Sequence, residues 1–161
     1  MCDKTSGRCA CERLALPSSP YGTVKDNERL GRVVCNPRHI AADGTVKQSC
    51  FGETDVRERG LSLFRLDYMS MKFVERQACA ICDTLPSNRV EAVAVADAGR
   101  VRSLLDSTGK RALCVVDDPT EASEKVPAND AHAIAFAAAP LDSADLLMIR
   151  TELREMFYLA R

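Results

Sequence analysis

The sequence predicts an α+β domain: a small single sheet of five or six strands with three helices, the C-terminal helix packed on the sheet. A mixed α/β order is the alternative arrangement. Three observations predict it. Residues 61–66 and 90–96 alternate apolar side chains with others, the period of two that a half-buried strand shows. Residues 112–116 are apolar throughout, as in a strand covered on both faces. Apolar residues recur at spacings of three and four after Ser70 and after Asp142, the stripe of a helix with one buried face.

Taken in order, residues 1–26 form a loosely held arm, because Pro17-Ser18-Ser19-Pro20 and Gly22 interrupt any period. The globular domain is expected over 27–161. Arg32-Val33-Val34-Cys35 is a short strand stopped by Asn36-Pro37, a turn signal that also removes a ladder donor. Asp43-Gly44 between Ile40 and Val46 predicts a tight hairpin turn. Gly60 opens the strand over 61–66. Ser70 caps a helix whose stripe is Val74, Ala78, Ile81 and Leu85, with Pro86-Ser87-Asn88 as its stop. A strand over 90–96 and a short helix over 100–105 follow, closed by Gly109. The run 112–116 reads as a central strand, ended by Asp117-Asp118-Pro119. Residues 132–138 return to strand character. Asp142 or Ser143 then caps a helix running to the C-terminus, with Leu146, Ile149, Leu153, Met156 or Phe157, and Ala160 inward.

The chain has 161 residues, 46% hydrophobic and 28% charged, the balance of one soluble globular domain. With no tryptophan and few aromatics, the core must rest on Val, Leu, Ile, Ala, Met and Cys. No apolar run approaches the ~18 residues that suggest a membrane span. The first residues lack the apolar stretch of a secretory leader, so a cytoplasmic location is expected. A net charge of −1 disfavours a protein built to coat nucleic acid.

In a reducing cytosol, eight cysteines read as core thiols, metal ligands or catalytic groups rather than a disulfide framework. Cys9-x-Cys11 and Cys79-x-x-Cys82 could supply the two ligand pairs of a structural zinc site, with Cys2 or His39 as substitutes. Against this, Cys79 and Cys82 fall within a helical stripe, where a small apolar filler is the simpler reading. A redox role for Cys79-x-x-Cys82 is weaker still, since it lies near a helix C-terminus, where the dipole disfavours a thiolate. Cys35, Cys50 and Cys114 stand singly in apolar surroundings and read as structural.

Only two histidines occur, His39 and His132. Supported by Arg38 or Arg65, they could bind a phosphate and move its protons, one as base and one as acid. Arg65 ends an apolar strand, from which a guanidinium can project into a pocket. Asp117-Asp118 stands where many α/β enzymes hold Mg²⁺, although two carboxylates before a proline more commonly serve a turn. Familiar phosphate-loop, nucleophile-elbow, zinc-protease and kinase patterns are absent. The first expectation is therefore an interaction or accessory domain with a protein partner or a second copy of itself, and Met148, Met156, Phe157 and Tyr158 are the candidate contact residues. An enzyme acting on a phosphate- or nucleotide-containing substrate through His39, Arg65 and His132 is the second. A zinc protein using Cys9, Cys11, Cys79 and Cys82 is the third.

Overall fold

Six strands form one sheet in the computed structural model, which describes residues 11, 12 and 15–160. They are β1 (Arg29–Asn36), β2 (Leu61–Arg65), β3 (Arg89–Asp97), β4 (Leu113–Asp117), β5 (His132–Ala137) and β6 (Tyr158–Ala160). The order across the sheet is β4-β5-β2-β1-β3-β6, with every neighbouring pair antiparallel. The α-helices α1 (Met71–Asp83), α2 (Ala98–Arg102) and α3 (Ser143–Met156) accompany it, with shorter helical turns at Gln48–Cys50, Asp55–Arg59 and Leu66–Tyr68. The α+β class is as the sequence predicts. None of these helices is long and apolar enough to cross a membrane.

Alternation divides the sheet between two cores. Leu30, Val34, Leu61, Leu63, Leu113 and Val115 point to the face covered by α3, where Leu146, Ile149 and Leu153 meet them. Alanines at 94, 96, 133 and 135 on that face are small enough to let the covering layer approach. The opposite face carries Val33, Cys35 and Phe64 against Val74, Ala78 and Cys82 of α1. Ser70 caps α1 by accepting from the Phe73 amide, and Asp142 caps α3 by accepting from Ala144 and Asp145.

Two expectations are corrected. The strand at 113–117 is an edge strand, not a central one. Its burial on both faces is real, but its outward backbone is covered by side chains. The Val115 amide donates to Glu12 Oε1 at 2.9 Å, and its carbonyl accepts from Arg102 Nη2 at 3.0 Å. The last helix stops at Met156, short of the C-terminus. Phe157 is already extended, its ring is buried 5.2 Å from Phe51, and Tyr158–Ala160 pairs with the free edge of β3.

Residues 15–26, expected from composition to be a loose arm, run along the β4 side of the sheet. The Ser18 and Ser19 amides donate to Asp117, and Val24 enters the core at 3% exposure. Residues 1–10, with Cys2 and Cys9, lie outside the described residues. Among the described residues, two disulfides join Cys11 to Cys114 and Cys35 to Cys82, with Cα separations of 6.7 and 5.8 Å.

Candidate active site

The site grows from the start of β2. Gly60 holds φ at +86°, where a side chain would be strained and would collide with Ile134. Alternation from there sends Ser62 and Phe64 to the α1 face. Strand β5 lies antiparallel to β2, with Ser62 opposite Ile134 and Phe64 opposite His132. His132 is thus the diagonal neighbour of Ser62, within reach of a long side chain. The Ser62 hydroxyl and His132 Nε2 are 2.6 Å apart.

The other ring nitrogen is held by Asp118, which directly follows β4. His132 Nδ1 meets the Asp118 carbonyl and lies 3.2 Å from its carboxylate Oδ2. A carbonyl oxygen only accepts, so Nδ1 carries the proton. Nε2 then offers its lone pair to the Ser62 hydroxyl, which donates. Burial lowers the His132 pKa first, opposed by the Asp118 contacts and aided by the charge of Arg32. The ring is therefore neutral at pH 7, and its free lone pair points at an exposed serine. Nucleophile, base and orienting acidic residue have the connectivity that activates serine in acyl transfer.

Beside Ser62 opens a cleft of about 390 Å³. Strands β1 and β2 pair at Leu30–Arg65 and Gly31–Phe64, and the cleft lies beyond those pairs. Arg32 bridges the gap, donating to the carbonyls of Ser62 and Cys50 at 3.0 Å each. Val33, Phe64, Ile81 and Leu85 give the cleft its apolar wall. His39 lines it too. Its Nδ1 accepts from the Cys35 amide at 3.1 Å, which leaves Nε2 as the protonated nitrogen. Burial, followed by the charges of Arg32 and Arg38, lowers its pKa to about 4. On the other side of Ser62 a second cavity of about 260 Å³ is lined by His132, Gln77 and Asn129, and the Asn129 Nδ2 is buried without a hydrogen-bond partner.

His132 thus touches Ser62 and His39 lines the same cleft as Ser62, while Arg65 sits on the opposite face. Its Nε and Nη2 grip Glu28 at 2.8 and 2.9 Å, and Nη1 reaches Asp117 at 2.6 Å. Tyr68 and Tyr21, stacked on each other, place their rings 4.8 and 5.9 Å from the guanidinium carbon. With two carboxylates already on it and no exposed surface, Arg65 ties the 15–28 segment to the sheet. Asp117 and Asp118 divide between the two faces, one to Arg65 and one to His132.

The zinc expectation is corrected by the thiols themselves. Cys11 and Cys82 are disulfide-bonded, Cys79 is exposed on α1, and Cys9 lies outside the described residues. No cluster of three or more metal-ligating side chains occurs among the described residues. Cys35 and Cys114, read as single core thiols, are the disulfide partners. Of the terminal contact candidates, Met156 and Phe157 are buried, Met148 is half-buried against the core, and Tyr158 is exposed.

Sequence reasoning found His132 and His39 but missed Ser62. The only local signal was a polar residue on the open side of an otherwise apolar strand. Its pairing with a histidine 70 residues away is a matter of register. No protein-family model matches the chain, and no curated protein or solved structure does either.

Proposed function

We propose that the protein is an acyl-ester hydrolase in which Ser62 is the nucleophile, His132 the general base and Asp118 the residue that orients it. The observation that carries this reading is the 2.6 Å contact between the Ser62 hydroxyl and the unprotonated Nε2 of a buried, Asp118-held histidine, at the rim of a cleft. Ser62 Oγ attacks the ester carbonyl while Nε2 takes its proton. The resulting imidazolium rests against the Asp118 carbonyl and carboxylate. Collapse expels the alcohol, which recovers the proton from His132. Water, deprotonated by the same nitrogen, then releases the acyl group from Ser62.

Treatment with a fluorophosphonate probe tests this, with the modified residue located by mass spectrometry. Label is expected on Ser62, at a rate that rises with pH through a midpoint below the ordinary imidazole value of 6.5. His132→Ala should slow labelling by roughly 10²–10⁴-fold. Native, disulfide-intact protein that leaves Ser62 unmodified would overturn the assignment.

The two disulfides favour an oxidising compartment over the reducing cytosol expected from the sequence, since such bonds persist where thiols are not kept reduced.

A further inference from the structure

We infer that the substrate of Ser62 is an ester carrying an oxyanion group, a carboxylate or a phosphate, which Arg38 and Arg59 hold at the mouth of the 390 Å³ cleft. This rests on the hydrolase reading for the reaction, and on the cleft's own charge balance for the substrate class.

Three arginines and two carboxylates line the cleft: Arg32, Arg38 and Arg59 against Glu53 and Asp55. Both carboxylates are already engaged. Asp55 meets Arg32 at 3.3 Å, and Glu53 meets Arg57 at 2.9 Å and Arg150 at 3.7 Å, neither of which lines the cleft. Arg38 and Arg59 meet no carboxylate among the described residues, and both are exposed at the rim. The cleft lining therefore leaves two arginines whose charge no carboxylate among the described residues neutralises, in the same lining as an apolar wall.

His39 adds no charge to this balance, because its pKa of about 4 keeps it neutral at pH 7. Nor does the whole molecule supply a field that would favour anions, its net charge being −1. The attraction is local to the cleft. Guanidinium groups suit carboxylate and phosphate alike, through paired N–H donors in one plane. The apolar wall of Val33, Phe64, Ile81 and Leu85 would take the hydrocarbon part between the anion and the ester.

Three esters with the same acetyl group and phenyl ring test the inference: 4-acetoxybenzoate, 4-acetoxyphenyl phosphate and neutral 4-acetoxybenzamide. At low ionic strength kcat/KM should favour at least one anionic ester over the amide by about tenfold, and salt should erode the preference. The arm that shows it tells carboxylate from phosphate. In Arg38→Gln/Arg59→Gln the anionic-to-neutral ratio should fall toward one, with folding checked by circular dichroism. Hydrolysis of all three esters without preference, or a ratio unmoved in the double variant, would overturn the inference while leaving the nucleophile intact. If no ester is turned over and Ser62 resists the fluorophosphonate, the hydrolase reading fails instead. Calorimetric titration of Ser62→Ala with 4-hydroxybenzoate and with phenyl phosphate then still decides the charge question. Binding of either that weakens about tenfold in the added double variant supports it, and binding of neither, or binding indifferent to the arginines, sinks it.

Discussion

At the residue scale, the two histidines are alike in being buried and unlike in what holds them. His132 is fixed by a side-chain and backbone clasp from Asp118, with its lone pair turned to Ser62. His39 instead accepts from the Cys35 amide of β1 and bonds the Val33 backbone. The shift of His39 has a consequence for stability. Its folded pKa of about 4 lies below the ordinary 6.5, so the unfolded chain binds the proton first. The His39 contribution is thus fully present above pH 6.5 and is lost as pH falls toward 4, amounting to about 1–2 kcal/mol after solvent screening. Urea denaturation at pH 7 and pH 4.5 should show a smaller loss in His39→Gln than in the parent. Equal losses would remove His39 as the cause. Arg65 shows how residue type alone misleads. A guanidinium at a strand end is equally suited to a ligand and to a buried ion pair, and here two carboxylates occupy it.

At the element scale, the edge strand β4 shows how a short charged segment can replace a strand. An open edge exposes unpaired backbone groups and invites association. Here Glu12, 6% exposed, takes the Val115 amide and binds Arg102 Nε at 3.0 Å, while Arg102 also serves the carbonyls of Val24 and Val115. Glu12→Ala removes one member of a buried pair and should cost about 3–5 kcal/mol. It should also produce concentration-dependent oligomers in size-exclusion chromatography. A variant as stable and as monodisperse as the parent would show that other contacts protect this edge. The site depends on β5 staying in register with β2, so the same strand pair that is braced through β4 also sets the distance between Ser62 and His132.

At the scale of the whole molecule, two disulfides among the described residues tie distant parts of the chain. Cys11–Cys114 spans 103 residues and holds the N-terminal segment to the edge strand, and Cys35–Cys82 spans 47 and holds α1 to β1 beside the cleft. Loop-closure entropy assigns each a stabilisation of about 4–5 kcal/mol. Reduction of either should lower the thermal midpoint by roughly 8–20 °C for a chain of this size. Peptide mapping without reductant should recover both linked pairs. A midpoint indifferent to reductant, or maps lacking both cross-linked peptides, would count against the pairing and the oxidising compartment together.

The sequence by itself determined the local structure. Alternation at 61–66 and 90–96, the stripe after Ser70 and the capping residue at Asp142 report short-range geometry, and each became the expected element. It also singled out both histidines by their scarcity. Tertiary structure alone decided what those elements meet. An apolar run records burial on two faces and is silent about lateral order, so β4 could be read as central although Glu12 and Arg102 make it an edge. Cysteine spacing along α1 suggested a ligand pair, whereas Cys82 finds its partner 47 residues earlier, on β1. Ser62 and His132 become a site only because β2 and β5 pair with Ser62 opposite Ile134. Such pairings depend on long-range register, which short-range patterns along one chain do not encode.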